Sequence, residues 1–266
     1  MNSKMHHFSS ALRVLALPAV TTLISICPLS AQDGDASPKK LRVVTFGDST
    51  TAQRGSVKVY TAVLQERLPG VEFVNKGVGG NTTAMAAKRF QSDVIAAKPD
   101  VTVIQFGIND AAVDLWKTPP ATESRVSLDD YETNLRAFVT DLRAIGSDVI
   151  LMTPNQTRWS APMIEKYGKS PYDPADPQGF TFILARYAER MRKVARDMNV
   201  PLVDIYALYD TPERKTALCL DLLPDGMHPS MAGHAMVAEN LEPLLRKMLG
   251  QSGASEPAVG AALNAP

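Results

Sequence analysis

Cysteine and histidine are scarce in this sequence, and neither sign of charge is in excess. The 266 residues include two cysteines and four histidines, too few for a disulfide scaffold or a cysteine-rich zinc module. Basic and acidic residues both number 28, so no overall charge favours nucleic acid or an anionic membrane as a partner. Hydrophobic residues make up 45% of the chain and charged residues 21%, which is typical of a globular protein. We therefore expect no nucleic-acid partner.

Long hydrophobic runs are missing as well. The mostly apolar run over residues 14–26 is too short to cross a bilayer of about 30 Å, but it has the length of a signal-peptide core. Lys4 and Arg13 supply the positive charge that precedes such a core. This pattern predicts a signal peptide over residues 1–31, a linker over 32–40, and export to the periplasm or the medium. An uncleaved membrane anchor is the alternative; after cleavage no stable membrane span is expected.

Removal of the signal peptide would leave few reactive side chains. Of the cysteines only Cys219 would remain, so no internal disulfide is expected. Of the histidines only His228 and His234 would remain. Any mechanism that requires a histidine must use one of these two.

Hydrophobic patterning predicts one α/β domain over residues 41–250. Short apolar runs, several rich in β-branched residues, predict parallel strands at 41–46, 71–75, 101–106, 148–153 and 201–205. Helical patterns alternate with them at 57–68, 82–97, 129–145, 180–198 and from 230 onward. This alternation predicts a five-stranded parallel sheet with helices on both faces and with ligand sites at the carboxyl ends of the strands. The Gly/Ala/Ser/Pro-rich residues 251–266 are predicted to be a disordered tail.

The last helix has a clear N-terminal signal. Ser230 is a plausible N-cap, and an apolar stripe is expected to follow it on one helix face. The stripe comprises Met231, Ala235, Ala238, Leu241 and Leu245. His234, four residues into this helix, is expected to be an ordinary surface histidine.

Four short segments at the ends of predicted elements carry the chemistry. They are Gly-Asp-Ser-Thr at 47–50, Gly-Val-Gly-Gly-Asn-Thr at 77–82, Gly-Ile-Asn-Asp at 107–110 and Asp-Gly-Met-His-Pro at 225–229. Each alone is ordinary turn chemistry. In this order and placement they resemble the signature blocks of the SGNH (GDSL-type) hydrolase superfamily over residues 41–249. The resemblance implies a flavodoxin-like three-layer α/β/α fold and a serine esterase mechanism.

The first and last segments supply a candidate Ser-His-Asp triad. Ser49 lies on a tight turn between a strand and a helical segment, where its hydroxyl can act as a nucleophile once a base removes its proton. His228 lies in a Gly/Pro-bracketed loop and is the candidate base, because imidazole exchanges protons near neutral pH. Asp225, three residues earlier, is close enough to fix the imidazole tautomer. His234 competes for the role of base, but a surface position on the last helix is expected for it.

The middle segments supply candidate oxyanion donors. We expect the backbone N–H groups of Ser49 and Gly80 and the side-chain amide of Asn109 to bind the developing negative charge. Gly80 directly precedes the next helix, where the partial positive charge of a helix N-terminus favours an anion. Gly79 is the alternative. Asp110 is expected to cap the segment after it. The histidines and scattered aspartates have no convincing metal-ligand spacing, so no metal and no cofactor are expected.

Substrate specificity is less well defined by the sequence. Residues 155–179 form a long, proline-rich connection of the kind that often serves as a lid or binding loop. Arg158 and Trp159 on it are candidate substrate contacts. With Tyr167, Tyr172 and, on another loop, Trp116, they could stack on sugar rings or merely pack the loop.

These observations favour a secreted serine esterase that removes short acyl groups, acetyl above all, from a carbohydrate. The Gly-Asp-Ser-Thr segment and the predicted export resemble extracellular carbohydrate O-acetylesterases of this superfamily. A thioesterase or lysophospholipase acting on longer acyl chains is the alternative within the superfamily. A non-catalytic carbohydrate-binding domain is the alternative of another class. The presence of Ser49, Asp225 and His228 argues against that last alternative.

Overall fold

A computed structural model describes residues 40–210 and 221–250. The predicted signal peptide, all but the last residue of the predicted linker, Cys219 and the predicted C-terminal tail lie outside the described residues. All four candidate segments lie within them.

The sheet has five strands, and every pairing between neighbours is parallel. The strands are β1 (Leu41–Gly47), β2 (Val71–Gly77), β3 (Val101–Gln105), β4 (Asp148–Met152) and β5 (Leu202–Val203). Their order is β2-β1-β3-β4-β5, which is the flavodoxin-like order. The predicted five-stranded parallel sheet is confirmed. In such a sheet the order of strand addition reverses between β1 and β3: β2 is added on one side of β1, and β3, β4 and β5 on the other. Ligand sites form at this point.

The described helices connect these strands. They are α1 (Tyr60–Arg67), α2 (Thr83–Ala87), α3 (Phe90–Asp93), α4 (Ile108–Ala111), α5 (Leu128–Ala144), α6 (Ala161–Tyr167), α7 (Phe182–Asp197), α8 (Ile205–Leu208) and α9 (Met231–Met248). The single helix predicted over 82–97 is instead divided into α2, α3 and a 3₁₀ turn. The break falls at Arg89, whose guanidinium donates to the backbone carbonyls of Gly47 and Lys76 at the ends of β1 and β2. These long-range bonds tie the break to the sheet.

Alternation along the strands produces two apolar layers. On β1, Val44 and Phe46 belong to one core cluster and Val43 to the other. The first cluster contains buried residues of α2, α3, α5 and α7, and the second contains those of α1, α8 and α9. Both faces of the sheet are therefore covered, as expected for parallel strands. This is the three-layer α/β/α arrangement predicted from the sequence.

The buried face of α9 differs from the predicted stripe. Ser230 is the N-cap as predicted, since its Oγ accepts a hydrogen bond from the Gly233 N–H. Met231, however, is 57% exposed, whereas His234 is 1% exposed. The His234 ring stacks on Tyr60 at a centroid distance of 6.1 Å. The prediction of a surface His234 is wrong because the buried stripe runs through this polar residue, which a hydrophobic pattern does not count.

The pKa of His234 makes folding sensitive to pH. Burial lowers this pKa from 6.5 to about 4, and the charges of Arg54 and His228 act in the same direction. Below pH 6.5 the unfolded chain binds a proton that the folded chain excludes, so stability falls as the pH drops toward 4. In the wild type we expect the titration of His234 to lower the unfolding free energy by about 2 kcal/mol between pH 7 and pH 5. His234→Leu should abolish this contribution. Urea unfolding of both proteins at the two pH values measures this difference.

The comparison between variant and wild type isolates His234 from the other titrating groups. Parallel dependences of the unfolding free energy on pH in the two proteins would show that His234 does not contribute. Stability at pH 7 need not be equal in the two proteins, because only the slopes are compared.

Over the described residues, the helices do not reach the combination of length and apolar character that a membrane crossing requires.

Candidate active site

Three of the four candidate segments begin at one edge of the sheet. In the strand register Gly47, at the end of β1, lies opposite Gly77 of β2 and Gln105 of β3. The turns after these strands therefore start side by side. The reversal of strand order between β1 and β3 leaves room there for a ligand.

Two glycines allow the backbone to turn sharply at this edge. A Cβ on Gly47 would lie 2.2 Å from Thr51 Oγ1 and 2.8 Å from the Gln105 carbonyl oxygen. A Cβ on Gly77 would lie 2.2 Å from the backbone nitrogen of Ala52. The chain after β1 thus folds back closely on both neighbouring strands, which only glycine permits at these positions.

Ser49 occupies the middle of this turn. The Asp48 carbonyl accepts hydrogen bonds from the N–H groups of Thr51 (3.2 Å) and Ala52 (2.9 Å). Asp48 Oδ1 accepts from the backbone N–H and the hydroxyl of Thr50, both at 2.9 Å. Asp48 and Thr50 are buried, whereas Ser49 is half-buried. The turn therefore directs its flanking side chains into the protein and leaves the serine hydroxyl accessible.

A buried polar network lies beneath the serine. The Thr50 hydroxyl also lies 3.2 Å from Gln105 Oε1, and Gln105 Nε2 donates to the Thr153 carbonyl at 3.1 Å. Burial raises the pKa of Asp48, although the Thr50 hydrogen bonds and the charge of His228 oppose this. The sequence reasoning missed this network. Its signal was Gln105, a polar residue in an otherwise apolar strand.

His228 contacts both predicted partners. Its Nε2 lies 2.9 Å from Ser49 Oγ, and its Nδ1 lies 2.7 Å from Asp225 Oδ2. The other carboxylate oxygen, Asp225 Oδ1, accepts from the backbone N–H groups of Met227 (3.0 Å) and His228 (2.7 Å). The segment turns at Gly226, which has φ +84° and whose Cβ would lie 2.3 Å from the Arg158 carbonyl oxygen.

These contacts keep Asp225 ionised. Burial opposes its ionisation, but hydrogen bonds from the His228 ring and from the His228 and Met227 N–H groups lower the pKa of Asp225 far below its ordinary value. Arg54 Nη2, 3.5 Å from Asp225 Oδ2, adds a positive charge that the sequence reasoning did not find. An ionised Asp225 favours the tautomer in which Nδ1 carries the proton and Nε2 is free to accept one from Ser49.

Four hydrogen-bond donors near the serine make no hydrogen bond of ordinary geometry with the described residues. Asn109 Nδ2 is buried and is one of them, although the amide opposes the rise in the pKa of Asp48, while Asn109 Oδ1 accepts from Arg125. The backbone N–H groups of Ser49 and Gly80 also donate no hydrogen bond within residues 40–210 and 221–250. Gly79 is equally unengaged, and its Cβ would lie 3.9 Å from Ser49 Cβ. The assignment of Gly80 over Gly79 as oxyanion donor stays a prediction.

Asp110 does not cap the segment after it, so that expectation is wrong. Its Oδ1 instead accepts from the backbone N–H (2.8 Å) and the hydroxyl (2.6 Å) of Thr83, in the first turn of α2. Burial raises the pKa of Asp110 to about 6. The third candidate segment is thereby fastened to the second by a contact between residues distant in sequence.

The two residues predicted to contact substrate make structural contacts. Arg158 is 5% exposed, and its guanidinium donates to the backbone carbonyls of Thr157 (3.0 Å) and Tyr209 (3.1 Å). The Trp159 indole N–H donates to backbone carbonyls of its own loop, and its ring stacks on Phe180 at 4.9 Å. The structure therefore gives no support to the predicted substrate contacts of Arg158 and Trp159.

The connection over residues 155–179 is better ordered than the sequence indicated. It contains helix α6, and Tyr167 and Tyr172 are buried with Phe180 in a small apolar cluster. Two aromatic side chains nearby stay accessible: Phe182 is 46% exposed, and Trp116 is 52% exposed with the Lys166 ammonium 5.0 Å from its ring centroid.

Across residues 40–210 and 221–250, histidine, cysteine and carboxylate side chains form no group of three or more that could hold a metal ion.

Comparisons with known proteins agree with this fold. The model of the GDSL-like Lipase/Acylhydrolase family matches residues 45–236. An acetylxylan esterase of Geobacillus stearothermophilus is 33% identical over 189 residues, which is 69% of this chain and 77% of that protein. An uncharacterized lipoprotein of Bacillus subtilis is 32% identical over 225 residues, 75% of this chain and 87% of that protein. A crystal structure of the Geobacillus acetylxylan esterase aligns with a TM-score of 0.60 at 28% identity, over 78% of this chain and 94% of that one.

The fold and the arrangement of the four segments define an ester hydrolase of the SGNH type. The chain belongs to the GDSL-like Lipase/Acylhydrolase family, and it is a carboxylic ester hydrolase, as the resemblance seen in the sequence implied.

The turn at Gly79 and Gly80 offers a matched pair of substitutions. Gly80 has φ +76°, so Gly80→Ala should cost about 1 kcal/mol of backbone strain although its Cβ would meet no atom within 4 Å. Gly79 requires no left-handed backbone, and its Cβ would make an ordinary contact with Ser49. We therefore expect Gly80→Ala to lower the unfolding free energy and Gly79→Ala to leave it nearly unchanged. Equal stabilities in denaturant unfolding would contradict the backbone conformation described for Gly80.

Proposed function

We propose that this chain is an exported serine esterase that removes short acyl groups, acetyl above all, from a carbohydrate. The observation that carries the catalytic part of the proposal is the continuous hydrogen-bonded series Ser49–His228–Asp225, with distances of 2.9 and 2.7 Å. This geometry is what an activated serine requires: a base in contact with the hydroxyl and a carboxylate in contact with the base.

The proposed reaction begins with attack by Ser49 Oγ on the carbonyl carbon of the ester. His228 Nε2 takes the serine proton as the new C–O bond forms, and the carbonyl oxygen becomes negatively charged. The backbone N–H groups of Ser49 and Gly80 and the Asn109 amide stabilise this oxyanion. When the tetrahedral intermediate collapses, His228 gives the proton to the leaving sugar oxygen. Water, deprotonated by His228, then attacks the acyl carbonyl carbon; as the Oγ–C bond breaks and the carboxylic acid leaves, His228 returns the proton to Ser49 Oγ.

Asp225 acts through His228 in this mechanism. Its carboxylate holds the imidazole in the tautomer with a proton on Nδ1 and stabilises the imidazolium that forms. The two backbone hydrogen bonds to Oδ1 fix the carboxylate relative to the ring. The pKa of Asp225 is lowered, so the carboxylate keeps its charge well into the acid range.

The preference for short acyl groups, acetyl above all, and the carbohydrate nature of the substrate are supported by the similarity to an acetylxylan esterase.

Export is supported by the sequence of residues 1–31, which carries positive charge before a short apolar core. The similarity to a bacterial lipoprotein is consistent with passage across a membrane. An exported enzyme would meet polymeric carbohydrate outside the cell.

Ser49→Ala tests the catalytic proposal. We expect wild-type protein to hydrolyse p-nitrophenyl acetate faster than the butyrate, and the butyrate faster than the octanoate. Ser49→Ala should lose this activity, because without the hydroxyl no acyl-enzyme forms. Ser92→Ala, which removes an exposed serine hydroxyl on α3, is the matched control and should retain wild-type rates.

Each outcome of this comparison separates the candidate functions. A preference for octanoate would replace the short-chain proposal with a thioesterase or lysophospholipase. Equal rates in wild type and Ser49→Ala on all three esters would refute Ser49 as the nucleophile and favour a carbohydrate-binding domain. Release of acetate from acetylated xylan by wild type, but not by Ser49→Ala, would establish the carbohydrate substrate.

Asp225→Asn tests the orienting role of the carboxylate. The neutral amide favours the wrong imidazole tautomer, so kcat should fall on the order of 10⁴-fold with little change in KM. Asp221→Asn is the control, since Asp221 is an exposed carboxylate four residues away. Comparable kcat values for the two variants would mean that the Asp-His pair does not act as proposed.

A further inference from the structure

The Asn109 side chain is held from outside the four signature segments. Its Oδ1 accepts a hydrogen bond of 3.1 Å from Arg125 Nη1. Its Nδ2 is buried and makes no hydrogen bond of ordinary geometry among the described residues, although the amide is near enough to Asp48 to oppose the rise in the pKa of that carboxyl. One end of the amide is therefore fixed by a cation, while the donor at the other end can turn to an oxyanion.

Arg125 reaches Asn109 because the loop after α4 folds back on itself. Val113 and Ser124 form an isolated antiparallel bridge, and the Arg125 N–H donates to the Ala112 carbonyl at 3.0 Å. The Ser124 hydroxyl donates to the Ala111 carbonyl at 3.1 Å. These bonds fasten the returning strand of the loop to the C-terminal end of the short helix that carries Asn109.

The guanidinium itself is held by a buried carboxylate. Asp114 Oδ1 accepts from Arg125 Nε (2.9 Å) and Nη2 (2.7 Å), and Lys117 Nζ lies 2.7 Å from Asp114 Oδ2. The Asp114 side chain is only 3% exposed. Burial opposes its ionisation, but hydrogen bonds from Arg125 and Lys117 lower the pKa of Asp114. This two-point attachment leaves the guanidinium little rotational freedom, and it presents Nη1 to Asn109.

We propose that Arg125 is a positioning residue that orients the Asn109 amide so that Nδ2 donates to the oxyanion, an inference that rests on the proposed esterase function. Without Arg125, the amide can rotate and present its oxygen, an acceptor, to the developing negative charge. A charge-assisted bond to Oδ1 also withdraws electron density from the amide and makes Nδ2–H a stronger donor. Both effects act in the transition state and not on the binding of the neutral ester.

Arg125→Met removes the hydrogen bond and keeps the aliphatic stem. We expect kcat to fall about tenfold with KM nearly unchanged, a smaller loss than the 10²–10³-fold typical of deleting a donor. Lysine lacks the planar fork that binds Asp114 at two points and also reaches Asn109. The kcat of Arg125→Lys should therefore lie between those of Arg125→Met and wild type. Arg190→Met is the matched control. The Arg190 side chain is also 25% exposed and pairs with two carboxylates, Asp129 and Glu132, on α5.

A double-mutant cycle separates positioning from a general structural effect. In an Asn109→Ala background Arg125→Met should change kcat by less than about twofold, because the amide that it orients is gone. The Asn109 side-chain NMR resonances, assigned by their loss in Asn109→Ala, should shift in Arg125→Met and stay in place in Arg190→Met. If Arg125→Met fails to fold, the same cycle is measured with Arg125→Lys.

Three results would overturn the inference. An equal loss of kcat in both backgrounds would show that Arg125 acts through something other than Asn109. A raised KM with unchanged kcat would make Arg125 a substrate contact, and unchanged kinetics would show no role. Each of these is distinct from failure of the proposed function, which would appear as activity that does not depend on Ser49.

Discussion

The close approach of the chain to itself at the ends of β1 and β2 is the constraint on which the site depends. Any Cβ at Gly47 or Gly77 would come within 2.2 Å of the turn that carries Ser49. Because both positions are glycine, the turn packs directly on the neighbouring strands, and Asp48 and Thr50 point inward. Ser49 is thereby presented at the common edge of three strands. From there its hydroxyl lies 2.9 Å from His228 Nε2.

The two halves of the site are assembled in physically different ways. Asp225 and His228 are three residues apart, and one loop supplies the carboxylate, the ring and the backbone N–H groups that join them. The proposed oxyanion side draws on the ends of β1, β2 and β3, joined by long-range contacts such as that between Asp110 and Thr83. The proposed base side is therefore a local structure, whereas the proposed oxyanion side depends on the fold as a whole.

This difference explains how much could be predicted from the sequence. Strand positions, the parallel sheet and the Asp225–His228 spacing follow from local patterns, whereas the flavodoxin-like arrangement was implied by the family resemblance; the strands, the sheet and that arrangement were confirmed. The burial of His234 was missed because a hydrophobic stripe does not count a histidine that stacks on an aromatic ring. The division of the helix at Arg89 was missed because its cause is a set of bonds to distant strand ends. Arg125 gave no signal, since its partners Asn109 and Asp114 are defined only by the folded loop.

Two buried acids beneath the site, Asp48 and Asp110, cost free energy through desolvation but accept hydrogen bonds that orient the neighbouring turns. Burial raises the pKa of both Asp48 and Asp110, which means that the ionised forms are disfavoured where they stand. Each nevertheless accepts two hydrogen bonds from a threonine, and each threonine lies next to a segment that the proposed mechanism uses. Apolar residues in place of Asp48 and Asp110 would remove the desolvation cost, but the turns would lose the hydrogen bonds that orient them. Directional bonds, and not apolar packing alone, must therefore set where Ser49 and Asn109 lie relative to each other.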